Sequence, residues 1–203
     1  MVSAPSEAPL VGVLALQGGV DEHLGALRAS GARVRAVRMP AELDALDAIV
    51  IPGGESTVLD RLMRVFGLAT PLREAIAAGL PVLATCAGMV LCAHELHDAA
   101  PGQHVLGVLD IGVRRNAFGT QLDSFETRLD VGGIGEDIEA VFIRAPAVTR
   151  VGDGVRVIAT VGERIVGVRQ GAITALAFHP ELTDDHRMHH SLVEQARDHR
   201  NRT

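Results

Sequence analysis

The chain has 203 residues, 47% hydrophobic and 22% charged, the proportions of a folded globular protein long enough for one substantial core. Its net charge of −6 argues against a general nucleic-acid surface, which needs a basic stripe to displace counterions. All 19 Lys-or-Arg positions are arginine, and there is no lysine, tyrosine or tryptophan, so a Schiff-base lysine, a phosphate-loop lysine and a Ser–Lys dyad are excluded.

Met1 to Pro9 is small and polar, without the basic start and apolar stretch of a signal peptide. It is expected to be a flexible leader, with one domain over 10–200. No apolar run reaches the ~18 residues of a membrane helix. Val11 to Leu16 reads as a strand, and Val20, Leu24 and Leu27 as the buried spacing of a helix ended by Gly31. Arg33 to Val37 and Ala48 to Ile51 are further strands, the latter closed by Pro52-Gly53-Gly54. Val58, Leu59, Leu62, Met63 and Phe66 predict one helix face, and a second helix runs from Pro71 to Ala78. Pro81 to Ala84 reads as a buried strand and Ala87 to Leu96 as a helix, which would carry His94 and His97. This alternation predicts an α/β fold, doubly wound, with a mostly parallel central sheet flanked by helices.

The second half is richer in strands: Val105 to Val113, Phe125 to Val131, Glu139 to Ile143, Val155 to Val161, Arg164 to Arg169 and Ile173 to Phe178. Several are close enough for hairpins, so some antiparallel strands belong here. Gly132-Gly133-Ile134-Gly135 has no helix pattern after it and reads as a turn, not a dinucleotide loop. Thr183, Asp184 and Asp185 resemble a helix start, and Met188, Leu192, Val193 and Ala196 form that helix's buried stripe. His186, His189 and His190 on the same helix are expected to face solvent. No set of partners points to a metal site.

The chemistry concentrates at Ala84-Thr85-Cys86-Ala87-Gly88. A buried strand ends, then comes a cysteine, then small residues opening a helix, which is the form of a nucleophile elbow. The helix N-terminus favours the thiolate and aims an amide at a developing oxyanion. A buried structural cysteine is the alternative at position 86 taken alone; Cys92, on an apolar helix face, reads as core. Two cysteines do not make a disulfide framework, so a reducing, cytoplasmic setting is the simplest. His179 follows an apolar strand, at the carboxyl end where open α/β sheets build their sites. Glu181 lies two positions on, across Pro180. In an extended segment both side chains would point the same way, letting Glu181 fix the His179 tautomer.

Further segments extend this set: Leu16-Gln17-Gly18-Gly19-Val20, Pro52-Gly53-Gly54-Glu55-Ser56-Thr57, Arg115-Asn116-Ala117-Phe118-Gly119, Asp123-Ser124-Phe125-Glu126, Val141 to Pro146 and Phe178-His179-Pro180-Glu181-Leu182-Thr183. In this order they resemble the glutaminase subunits of the two-protein pyridoxal 5'-phosphate synthases, which are class I glutamine amidotransferases. The similarity runs from about Val11 to Val193. It implies glutamine hydrolysis through a Cys86, His179 and Glu181 triad, with oxyanion-hole amides from Gly54 and Ala87. It also implies a glutamine pocket lined by Gly54, Glu55, Ser56, Arg115, Ile143 and Arg144, no metal or organic cofactor, and ammonia delivered to a barrel-type synthase partner in a hetero-oligomeric complex. An arginine suits the substrate carboxylate; which one is left open. The resembled family often begins the elbow with glycine, where this chain has Ala84. Another Cys-His-acid hydrolase, a non-catalytic module of the same fold, or an amidotransferase serving a different synthase are the rival expectations.

Overall fold

Four apolar segments that end at one edge of the sheet set the architecture. They are β1 (Leu10–Leu14), β3 (Ala48–Ile51), β4 (Val82–Thr85) and β12 (Ile173–Leu176). The last three are buried at every position, as expected of parallel strands covered on both faces. The computed structural model describes residues 8–118 and 124–202. Residues 1–7 of the expected leader, and Gly119 and Asp123 of the resembled segments, lie outside the described residues. Pro9 is buried, and its carbonyl accepts the Arg33 amide at 2.9 Å.

The remaining strands are β2 (Arg33–Val37), β5 (Ala93–His97), β6 (Leu109–Arg114), β7 (Ser124–Val131), β8 (Gly135–Ile143), β9 (Ala147–Val151), β10 (Arg156–Val161) and β11 (Arg164–Gln170). The main sheet runs β2-β1-β3-β4-β12-β11-β9-β6-β5, with β10 paired to β11. From β2 to β12 every pairing is parallel, and from β12 to β6 every pairing is antiparallel. The chain therefore folds as an α/β protein with a mixed, mostly parallel sheet. Strand order reverses between β1 and β3, and ligands bind open sheets at such switch points. The helices are α1 (Val20–Ala29), α2 (Ser56–Val65), α3 (Ala69–Ala77), α4 (Ala87–Cys92) and α5 (Arg187–Arg200). Helix α5 packs on α1 and on β1, β3 and β4, while α2 packs on α3 and α4.

Strands β7 and β8 form a separate two-stranded sheet whose turn holds Gly132 to Ile134. Four of the five phenylalanines join it to the body. Phe125 stacks on Phe142 at 4.6 Å, and Phe142 meets Phe118 at 5.5 Å and Phe178 at 5.6 Å. Such pairs add attraction beyond buried area, and this cluster lies directly before His179.

Several expectations need correction. The helix expected over Ala87 to Leu96 ends at Cys92, and β5 follows, so His94 and His97 are on a strand. Pairing of β5 with β6 overrides a local sequence that favours helix. On α2 the buried face is Ser56, Leu59, Asp60 and Met63, while Val58 and Phe66 are exposed; spacing of three and four from Ser56 selects that face. Strand β9 was missed. Helix α5 starts at Arg187, its amide held by Asp185 at 3.1 Å, and its buried stripe includes His189, which is fully buried, not solvent-facing. Burying an imidazole requires polar company, and that company is His23.

Candidate active site

Strands β4 and β12 are parallel neighbours, with Thr85 opposite Leu176. Cys86 follows the first strand by one residue and His179 the second by three, so both side chains emerge at the same rim. Cys86 has φ 48° and ψ −106°, a left-handed conformation that costs a non-glycine residue of order 1–3 kcal/mol. Its amide donates to the Leu176 carbonyl at 2.8 Å, which pins the turn. The start of α4 rests on the end of β3: a Cβ at Gly88 would stand 2.0 Å from the Ile51 carbonyl oxygen. Only glycine allows that approach.

His179 is anchored by its amide, which donates to the Val141 carbonyl on β8 at 2.9 Å. Its Nδ1 lies 2.8 Å from Glu181 Oε1, and the ring and Cys86 Cβ both lie against Gly53. The expected extended link is instead a 3-10 turn over Pro180–Leu182, with His179 at its N-cap. Proline's fixed φ suits the first position of a helical turn, and the turn still brings the carboxylate to the ring. Burial pulls the His179 pKa down, but the neighbouring Cys86 and the bond that Nδ1–H donates to Glu181 outweigh it and hold the value at about 10. Burial pushes Glu181 up, and the His179 hydrogen bond with the nearby imidazoles brings it below its usual value. The ring also lies against Gly53, where a Cβ would sit 2.4 Å from His179 Cε1.

A cavity of about 280 Å³ opens beside Cys86 and His179. Its lining includes Gly54, Glu55, Ser56, Ala87, Arg115, Ile143 and Arg144, so the expected pocket residues come together. Glu181 stands behind His179 and does not line it. Gly54 and Ala87 line this cavity with Cys86. The Ile143 carbonyl is 4.0 Å from the Cys86 sulfur. Arg144 is exposed, at φ 43°. Arg115 is held on two sides, donating to Glu55 at 3.1 Å and to Gln103 at 3.0 Å. Gln103 in turn donates to Ser56 at 3.0 Å. Glu55 caps α2 through the Val58 amide, and Thr57 donates to it as well. Burial pushes the Glu55 pKa up; those bonds and the Arg115 charge more than reverse this. Among the described residues no group of three His, Cys, Asp or Glu could hold a metal.

Sequence reasoning missed Gln17, whose side chain accepts the Glu55 amide at 3.0 Å; its position at the end of β1 was the available signal. It missed Gln103, which sits in a loop with no periodicity to mark it. It also missed His23, which lies 3.4 Å from Glu181 Oε2. His23 is three positions from Ala26 and four from Leu27, on the buried face of α1.

A strained cysteine, a histidine and a carboxylate in line beside a small polar pocket have the form of a thiol amidase site on a doubly wound sheet. The chain belongs to the SNO glutamine amidotransferase family, whose model matches residues 13–198. It is 59% identical to the pyridoxal 5'-phosphate synthase subunit PdxT of Cutibacterium acnes, across 93% of this chain and 97% of that one. Its identity to the subunit of the same name from a Parafrankia species is 56%, across 94% of both. A crystal structure described as a glutamine amidotransferase superposes with a TM-score of 0.86 at 46% identity, covering 92% of this chain and 98% of that one.

Proposed function

We propose that this protein is the glutaminase subunit of a pyridoxal 5'-phosphate synthase, hydrolysing glutamine to glutamate and ammonia for a partner synthase. The observation that carries it is the meeting of Cys86 and His179 beside Gly53, with Glu181 bonded to the ring, at a pocket that Glu55 and Arg115 also line. An anion and a cation side by side match the ammonium and carboxylate of an amino-acid head, while Arg144 is the second candidate for the carboxylate. The Cys86 thiolate attacks the side-chain amide carbon, and amides of Gly54 and Ala87 stabilise the oxyanion. The C–N bond breaks as the protonated His179 gives its proton to the leaving ammonia, and a γ-glutamyl thioester remains. His179, now neutral, takes a proton from water. The resulting hydroxide attacks the thioester, the C–S bond breaks, and glutamate leaves with the thiolate restored. Glu181 keeps the ring in the tautomer both steps need.

The relatives' name implies a synthase partner, and the resemblance gives it a barrel form. Two unpaired cysteines and, among the described residues, no helix long and apolar enough to cross a membrane support a cytoplasmic place of work. The test is Cys86→Ala in the reconstituted complex. Glutamine hydrolysis should vanish while pyridoxal phosphate formation from added ammonium persists. Retained hydrolysis would refute the assignment.

A further inference from the structure

Behind the triad, on the side away from the pocket, lie three more fully buried polar side chains that hydrolysis as described does not use. Thr85 ends β4, His23 comes from α1 and His189 from α5. His23 Nδ1 is 2.9 Å from His189 Nε2, and His23 Nε2 is 3.3 Å from Thr85 Oγ1 and 3.4 Å from Glu181 Oε2. Glu181 Oε1 is engaged by His179, but Oε2 is buried with no hydrogen-bond partner. His23 Nε2 faces it at 3.4 Å.

The tautomers follow from the geometry. If His23 carried its proton on Nδ1, it would donate to His189 Nε2 and turn a bare lone pair on Nε2 toward the Glu181 carboxylate. His189 would then carry its proton on Nδ1, an atom that is buried and unpartnered. Both consequences are unfavourable. With the protons on Nε2 of both rings, His189 donates to His23, and His23 aims its N–H at Thr85 and Glu181. The unpartnered Nδ1 of His189 is then only an idle acceptor. Burial holds both rings neutral. It lowers His23 against the raising effect of Glu181 and takes His189 to about 3. A neutral donor steadies the carboxylate without cancelling the charge that His179 requires.

We propose that His23 is a positioning residue for amide hydrolysis: its Nε2–H, with the tautomer set by His189, holds the Glu181 carboxylate in line with the His179 ring. The proposal rests on the triad assigned above. It ties the catalytic line to two helices, α1 and α5, that contribute nothing to the pocket. Gly19, at the N-cap of α1, closes the same joint, since a Cβ there would come 3.2 Å from Glu181 Oε1.

The groups facing His23 are Glu181 and His179 from the segment after β12, His189 from α5, and Glu22 on its own helix. Those facing His189 are His23, Glu181 and His186. Removing the His23 donor withdraws a group that favours charged Glu181, so the carboxylate protonates at higher pH. The acid limb of the kcat profile then moves up.

The experiment compares His23→Leu with His23→Gln in the complete synthase complex, with glutamine as substrate. The leucine variant should lose about tenfold or more in kcat, the scale of a lost orienting partner, with KM nearly unchanged and the acid limb shifted upward. Glutamine places an N–H near the old Nε2 and should restore both the rate and the limb. A purely structural histidine would lower stability in both variants without moving the limb. If the leucine variant does not fold, imidazole nitrogen NMR of the parent chain decides: Nε2–H on His23 supports the proposal, and Nδ1–H overturns it. A folded leucine variant with the parent's kcat and pH profile also overturns it. In either case Cys86→Ala reports separately on the triad, because it abolishes hydrolysis whether or not His23 matters.

Discussion

Replacing Gly53 with alanine tests how tightly the histidine is held. The added Cβ would stand 2.4 Å from His179 Cε1, 3.0 Å from its Nδ1 and 3.4 Å from Cys86 Cβ. Carbon atoms rest at about 3.5 Å, so the ring must withdraw by roughly 1 Å along the line joining it to Gly53. The backbone of His179 is pinned to Val141, so the shift falls on the imidazole. A displacement of that size in a reacting group costs on the order of a hundredfold in rate, ~2.7 kcal/mol of transition-state stabilisation. Overpacking should also lower stability by about 1–3 kcal/mol. The assay is glutamate release by the synthase complex at saturating glutamine, beside ammonium-driven synthesis, which should be unaffected. Gly25→Ala is the control: it lies in α1 with nothing within 4 Å of its Cβ. It should stabilise by ~0.5–1 kcal/mol and leave kinetics unchanged. A Gly53→Ala enzyme within about threefold of the parent rate, under ~0.7 kcal/mol, would mean that the ring is not seated against this backbone.

Two further outcomes are expected. In the native protein a small electrophile such as iodoacetamide should modify one of the two thiols, Cys86 at the pocket, and glutamine should protect it. Cys92 is fully buried with its thiol pushed up to about 12, so it should react only after denaturation, and native labelling at both would refute this. His179, held at about 10 against an ordinary 6.5, should contribute stability that is complete below about pH 6.5 and lost as pH rises through about 10. The alkaline limb of kcat should lie in the same region, because the proton for the leaving ammonia resides there, and Glu181→Gln should move it to lower pH.

Strands buried on both faces were legible because nothing interrupts their apolar runs: Ala48–Ile51 has the bounds the sequence suggests. The elbow and the His-x-Glu pair were legible because each follows such a strand. What local pattern could not show was pairing at a distance. Ala93 to His97 has helix-forming residues and nothing that breaks a helix; only β6 beside it makes it a strand. Strand β9, short and partly polar, is held between β6 and β11 in the same way. His189 stands three, four and seven positions from Leu192, Val193 and Ala196, so its buried face was written in the spacing. The chemical character of histidine pointed to solvent, and its partner His23 lies 166 positions away in the chain.

The two ends of the pocket are built from different kinds of interaction, and that difference bears on control of the enzyme. The catalytic end is fixed by backbone: a strained cysteine turn held by Leu176, a helix start resting on Ile51, and a histidine amide tied to β8. None of these can shift without breaking a sheet edge or a packed core, and such structures rearrange in discrete steps. The recognition end is an ion pair, Arg115 with Glu55, whose side chains are 23% and 38% exposed. A pair that wet contributes at most about 1 kcal/mol, so its partners can be exchanged for a substrate's own charges at little cost. Movement of the Glu55 segment also carries Gly54, whose amide is the proposed oxyanion donor, and one such donor is worth ~2.7–4 kcal/mol. A docking partner that set the position of Pro52 to Glu55 would therefore change the rate by orders of magnitude while leaving the triad where it stands.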